Sequence, residues 1–301
     1  MAFIPSYRAL FERGELNRKI LKLNEFLKEC RLCPRECRVN RLNGEIGYCG
    51  APPEIMVSSA FPHYGEEAPL VGNHGSGTIF LTHCNLRCVF CQNYDISHLG
   101  KGEEITSSEM ARAMIKLQEM GCHNINFVTP THYAPQIVAS LPEAIKKGLC
   151  LPIVYNCSGY ESVEVIQLLE GVIDIYMPDA KYMDEKFSKR FSNAPDYPEV
   201  LKNVLGEMHR QVGDLKTNSN GIAERGLLIR HLVMPGSVAS SEAVLRFIAE
   251  EISPHSYVNI MDQYRPEYRA YDYPEIKRRI THKEYLEAIQ IAKRFHLYRG
   301  F

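Results

Sequence analysis

The chain has 301 residues, 45% of them hydrophobic and 24% charged, with a formal net charge of −1. That composition is globular, with length for one large domain or two small ones, and its near-neutral charge excludes a global field that would draw in nucleic acid or an anionic membrane. The opening "MAFIPSYRALFERGELNRK" lacks the apolar core of a secretory signal, and no apolar run approaches the roughly 18 residues of a spanning helix, so a cytoplasmic protein with no membrane and no nucleic-acid partner is expected.

Residues 6–30 place apolar side chains at helical spacing around one glycine and predict one or two helices. Residues 31–76 are rich in Cys, Pro and Gly, with one strand candidate at "EIMVSSA". From residue 77 the pattern alternates strand and helix. The strands are "TIFLTH", "NINFVTP", "LPIVYNC", "VIDIYMPD", "LLIRHLVMP" and "YVNIMDQ", short apolar runs of the kind buried on both faces of a parallel sheet. A capping box, Thr106 with Glu109, opens a helix that Gly121 stops. "SVEVIQLLEG", "SSEAVLRFIAEEI" and "THKEYLEAIQIAKRF" predict further helices, and residues 183–225 read as a long insert with a helix at "PEVLKNVLGEMHRQVG". The expected fold is α/β, a partial (β/α)6 TIM-type barrel over residues 76–301. A helical, Cys-rich, metal-braced extension over residues 1–75 precedes it. Functional groups of such barrels gather at the C-terminal ends of the strands.

Ten cysteines in a reducing compartment point to metal or catalytic roles rather than disulfides, and seven of them fall between Cys30 and Cys91. "THCNLRCVFCQN" sets Cys84, Cys88 and Cys91 just past the first barrel strand. Three thiolates hold three irons of a [4Fe–4S] cluster and leave the fourth iron open to a small molecule. The alternatives are zinc, with His83 as the fourth ligand, or separate core cysteines.

The spacing Cys-x3-Cys-x2-Cys, with Phe90 before the last cysteine, resembles the radical S-adenosylmethionine superfamily. "GSGTIFLTHCNLRCVFCQN" resembles the glycyl-radical-enzyme activating enzymes, such as pyruvate formate-lyase activase. The resemblance implies a [4Fe–4S] cluster whose open iron chelates S-adenosylmethionine. One electron, from a flavodoxin- or ferredoxin-type donor, then cleaves the cofactor to methionine and a 5′-deoxyadenosyl radical that abstracts hydrogen. It further implies that Phe90 and Asn93 flank the cluster and adenine. "NFVTPTHY" stands where the family has Gly-Gly-Glu-Pro, keeping only the proline, so Thr129 or Thr131 becomes the contact for the methionine amino group. "YNCSGY" resembles the family's Asp-Thr-Asn-Gly-Phe turn and assigns Asn156 and Ser158 to the cofactor. "YMPDAKY" assigns Asp179 and Lys181, "LLIRHLVMPG" assigns Arg230, and "MDQYRP" offers Gln263 or Tyr264 in place of a histidine. Taken singly, each has a plainer reading as a turn residue or an ordinary ion pair.

Upstream, Cys30, Cys33, Cys37 and Cys49 form Cys-x2-Cys-x3-Cys-x11-Cys. Four thiolates among Gly and Pro turns suit a closed zinc site or a complete [4Fe–4S] cluster, and the sulfurs are expected to converge on one point; packing as small hydrophobes is the alternative. This segment resembles the N-terminal motif of an uncharacterised Fe–S branch of activase homologues, the nearest match, and of the radical enzyme of the AmmeMemoRadiSam system. His63, His74 and His83 read as hydrogen-bonded structural residues, with ligation as the alternative. Cys122 and Cys150 are expected in the barrel wall, and Cys157 beside the cofactor or in the wall. The leading function is an activase-like enzyme that takes hydrogen from a partner protein or peptide. A radical enzyme acting on a small molecule or RNA is the second, and a non-enzymatic Fe–S carrier or metal-binding scaffold the third.

Overall fold

The structure, a computed structural model, describes residues 3–301. Helices α1 (Ser6–Glu12) and α2 (Glu15–Lys28) come first. They meet at Gly14, whose φ of 71° lies in the left-handed region that glycine enters without steric cost. Leu16, Leu23, Phe26 and Leu27 fall on one face of α2 and are buried. An irregular stretch leads to β1 (Ile55–His63), α3 (Ala68–Val71), β2 (Ser76–Leu81), α4 (Tyr94–Ser97), β3 (Glu103–Ile105) and α5 (Ser107–Glu119). Then come β4 (Ile125–Val128), α6 (Ala134–Lys146), β5 (Ile153–Cys157), α7 (Val163–Leu168), β6 (Ile175–Pro178), α8 (Glu185–Ser192) and α9 (Tyr197–Val212). The chain finishes with β7 (Lys216–Thr217), β8 (Ala223–Leu232), α10 (Ser241–Phe247), β9 (Tyr257–Met261) and α11 (His282–Arg294).

One central sheet organises this mixed α/β fold. Strands β2, β4, β5, β6, β8 and β9 pair side by side, in chain order and all parallel. The sheet is not a pure alternation of strands and helices. Strands β1 and β3 extend it by antiparallel pairing beyond β2, and β7 pairs antiparallel with β8. Among the described residues β9 does not pair with β2, so the sheet curves without closing. The "EIMVSSA" candidate is therefore a partner of the first parallel strand, and its mostly half-buried side chains suit a strand outside the parallel core. The stretch expected as an insert also plays another part. Helix α9 buries Tyr197, Leu201, Val204, Leu205 and Met208 and supplies the crossover from β6 to β8.

Side chains alternate across the sheet and make two cores. Val154, Ile175, Met177 and Leu228 point inward and enclose Leu70 of α3, together with Leu215 and Ala223. Ile153, Tyr155 and Cys157 point outward into the larger layer under the helices. Because β1 runs antiparallel to β2, its end at His63 lies beside Ser76, at the N-terminal end of the parallel strands. The following segment, through α3, enters the barrel there and forms its floor.

Candidate active site

The cysteine loop follows β2 directly. Its turns use His83 at φ 68° and Arg87 at φ 51°, left-handed positions that non-glycine residues occupy only when their surroundings hold them. Cys84, Cys88 and Cys91 line a cavity of about 540 Å3 at the C-terminal ends of the parallel strands, within the usual size range of ligand sites. Polar groups are directed at each sulfur. The Leu86 N–H donates to Cys84 Sγ at 3.4 Å, the Ser192 hydroxyl to Cys88 Sγ at 3.0 Å, and Ser97 Oγ lies 3.1 Å from Cys91 Sγ. Burial, reinforced by the neighbouring cysteine, pushes the Cys84 thiol up to about 12. Burial pushes Cys88 up to about 11, against the opposing charge of Lys181. As free thiols these groups stay protonated at neutral pH. A cationic metal centre reverses that preference, and the donors already in place then stabilise the thiolates.

The same cavity is lined by a charged wall built from strand ends. Asp179 accepts from Lys181 Nζ at 2.6 Å and from Arg230 Nε at 2.8 Å. Arg230 Nη2 donates to Asn156 Oδ1 at 2.8 Å. Burial alone would raise the Asp179 carboxyl, but Arg230 and Lys181 outweigh it and hold the group below its usual range. Burial likewise disfavours the charged forms of Lys181 and Arg230, yet Asp179 keeps both raised. The three charges thus persist in a desolvated place because each has a partner. Ser158 lines the same cavity, and its Oγ is buried without a hydrogen-bond partner in the protein. An orphaned hydroxyl beside fixed charges is the condition of a site made for a polar ligand.

The other expected residues divide. Phe90 is buried against the edges of Tyr182 and Tyr264 and lines the cavity with Asn93, Thr129 and Gln263. Thr129 adopts φ 59° and donates its backbone N–H to the Asn156 carbonyl at 2.8 Å. Thr131 does not join them: it is buried elsewhere and gives its hydroxyl to Glu161 at 2.8 Å, so Thr129 alone of the two lines the cavity. Tyr264 is spent on the Ile276 carbonyl at 2.6 Å, so Gln263 is the rim residue. Cys157 lies at the cavity margin, but it alternates with Asn156 and packs outward with Tyr155, which removes its thiol from the reacting space. His83 bonds Thr82 Oγ1 at 2.7 Å and is not a lining residue, so it is no fourth ligand for the Cys84 triad. His74 tilts against His123, away from the cavity, whereas His63 reaches its floor. Cys122 is buried as expected, but Cys150 is exposed.

The floor is what sequence reasoning missed. Glu66 receives Asn126 Nδ2 at 3.2 Å and stands 3.9 Å from Arg230. Glu67 is hydrogen-bonded by Asn259 of β9. The stretch "GEEAPL" shares in the resemblance to the Fe–S activase-homologue branch, but nothing in it assigned the two acids to a floor.

The family model described as the radical SAM superfamily matches residues 78–223. The uncharacterized protein MJ0674 of Methanocaldococcus jannaschii is 35% identical over 292 residues, 94% of this chain and 79% of that one. The chain belongs to the radical SAM superfamily. A second uncharacterized protein of that organism, MJ0808, is 22% identical, covering 90% of this chain and 83% of its own. Among solved structures, a radical SAM methyltransferase from Sphaerobacter thermophilus superposes with a TM-score of 0.50 at 15% identity. The match covers 74% of this chain and 65% of that one, just under two thirds of its length, and speaks to the fold alone. Membership in the radical SAM superfamily makes the chain an enzyme and brings a [4Fe–4S] cluster and S-adenosylmethionine as cofactors. Among the described residues, no helix is long and apolar enough to cross a membrane.

Proposed function

We propose that Cys84, Cys88 and Cys91 hold the radical SAM cluster. On this reading Asp179, Lys181, Arg230, Asn156 and Ser158 position S-adenosylmethionine, and the enzyme removes hydrogen from a partner polypeptide in the manner of an activating enzyme. The observation that carries it is one cavity lined both by the three cysteines, Cys88 buried and Cys84 and Cys91 partly so, and by the ion-paired Asp179, Lys181 and Arg230. When bound, the cluster and S-adenosylmethionine supply a 5′-deoxyadenosyl radical. The chain's residues do the rest. Phe90 shields the cluster side, Arg230 and Lys181 offer donors to carboxylate or ribose oxygens, and the Ser158 hydroxyl gains the partner it lacks. At the rim, exposed Asn93 and Gln263, with Gln92 bonded to the Gln263 carbonyl at 3.2 Å, present carboxamides suited to a peptide backbone. A low-potential one-electron donor of flavodoxin or ferredoxin type completes the scheme.

The test is anaerobic. Reduced, reconstituted protein should form 5′-deoxyadenosine from S-adenosylmethionine, and a Cys84/Cys88/Cys91 triple alanine variant should form none. Turnover that persists in the variant would sink the assignment. The macromolecular fraction of a cell extract should raise turnover more than its small-molecule filtrate; the reverse result would replace the polypeptide with a small substrate.

A further inference from the structure

The irregular segment between α2 and β1 carries Cys30, Cys33, Cys37 and Cys49, which the radical SAM site does not use. Cys30, Cys33 and Cys49 are buried and Cys37 is partly so. The sulfurs lie near enough that the charge of Cys49 and of Cys30 is felt at Cys33, and that of Cys30 and of Cys37 at Cys49. Backbone N–H groups face them: Tyr48 donates to Cys37 Sγ at 3.2 Å, Arg35 N–H is directed at Cys33, and Ala51 N–H at Cys49. The donor two residues after the cysteine recurs in the radical SAM loop, from Leu86 to Cys84 and from Asn93 to Cys91. Donors aimed at sulfur stabilise thiolates, and buried thiolates persist only beside a cation.

A second observation is independent of the cysteines. Arg41 is 1% exposed. Its Nη atoms donate at 2.5 Å to the carbonyls of His132 and Pro52, and its Nε has no partner. A buried guanidinium satisfied only by carbonyls lacks a counter-charge. Cys49 is close enough to feel it. A metal–thiolate group of net negative charge would supply what Arg41 lacks; neutral thiols would not.

The sulfur spacing argues against a single zinc. A single zinc draws four sulfurs to about 2.3 Å from one centre. Among the described residues, no three Cys, His, Asp or Glu side chains gather to hold one ion, so the expectation that the four sulfurs converge on one bonding point fails. The same is true of the Cys84 triad. Thiolates that bind separate irons of one cluster stand wider apart. We propose that Cys30, Cys33, Cys37 and Cys49 hold a second [4Fe–4S] cluster, ligated by four thiolates and without an open iron. It lies against the first loop: Arg35 donates to the carbonyls of Asn85 at 3.1 Å, Ser192 at 2.9 Å and Asn193, and Arg87 Nη1 lies 3.5 Å from the Cys49 carbonyl.

The experiment counts metal and reads spectra in the full chain, reconstituted and purified without air. Wild-type protein should carry about eight irons, about eight sulfides and no stoichiometric zinc. The Cys84/Cys88/Cys91 triple alanine variant should keep about four irons, with a reduced-cluster resonance that S-adenosylmethionine does not alter. A Cys37→Ser variant, changed at the least buried ligand, should keep the S-adenosylmethionine-responsive resonance and lose the unresponsive one. One zinc in the wild type, or a triple variant without iron, overturns the second cluster. Neither result touches the proposed function, which rests on 5′-deoxyadenosine formation.

Discussion

Asp179 is the residue on which the charged wall depends, since Lys181 and Arg230 are both held by its carboxylate. Its side chain is 15% exposed, so removing it leaves two cations facing each other in a desolvated cavity. Breaking one member of such a set costs about 3–5 kcal/mol. Asp179→Ala and Arg230→Ala should each weaken S-adenosylmethionine binding by two orders of magnitude or more, read by titration calorimetry on reconstituted protein. Iron content should stay unchanged; unaltered affinity would place the cofactor elsewhere. Glu161 is a different case. It is 1% exposed and takes hydrogen bonds from Thr131 at 2.8 Å and Tyr155 at 3.1 Å. Burial raises its carboxyl to about 7, despite these donors and the Cys157 thiol. A folded-state value above the unfolded one means that the folded chain binds the extra proton. Stability is therefore full below the unfolded value of about 4.5 and falls as pH rises toward 7. Glu161→Gln should escape that loss. Measured by urea unfolding, the variant should gain up to about 3 kcal/mol on wild type between pH 4.5 and pH 8. An equal difference at both pH values would refute the linkage.

At the scale of elements, helix ends and strand neighbours hold the site in place. Helix α5 begins at the capping box foreseen from sequence: the Glu109 N–H donates to Thr106 Oγ1 at 3.2 Å, and Thr106 N–H returns to Glu109 Oε2 at 2.8 Å. Thr106→Ala should lower stability by about 1 kcal/mol, seen as a shift in the denaturation midpoint at unchanged slope, with the cavity intact. Local signals of this kind were legible because their partners lie three residues apart. The Arg35 contacts from the N-terminal loop were not legible, because Asn85 and Ser192 stand 50 and 157 residues away in sequence.

At the scale of the whole molecule, the barrel is an unclosed sheet with a plug. Leu70 is fully buried among Val154, Ile175, Met177 and Leu228, and the carboxylates of Glu66 and Glu67 ride on the same segment. Leu70→Ala should cost about 2–5 kcal/mol in global unfolding. It should also loosen the floor, so that S-adenosylmethionine binding weakens although Leu70 does not line the cavity. Lost stability with unchanged affinity would make the plug structural only.

By itself the sequence determined the elements and the chemistry of the mouth. Apolar runs of strand length, capping residues and the 84–91 cysteine spacing are local patterns, and short-range sterics and hydrogen bonding translate them directly. The family resemblance named Asn156, Asp179 and Arg230, and all three line the cavity at the strand ends, where a parallel barrel gathers its polar groups. Tertiary structure alone decided the rest. It sent Thr131 to Glu161 rather than to the cavity, because a backbone turn at Thr129 and a buried carboxylate 30 residues away compete for that hydroxyl. It brought Glu66 and Glu67 to the floor, because β1 runs antiparallel to β2 and so delivers the next segment to the opposite end of the barrel. It also laid the N-terminal cysteines against the cluster loop through Arg35 and Arg87, whose acceptors are backbone carbonyls. Every residue has a carbonyl, so no side-chain pattern in the sequence marks which ones will be met.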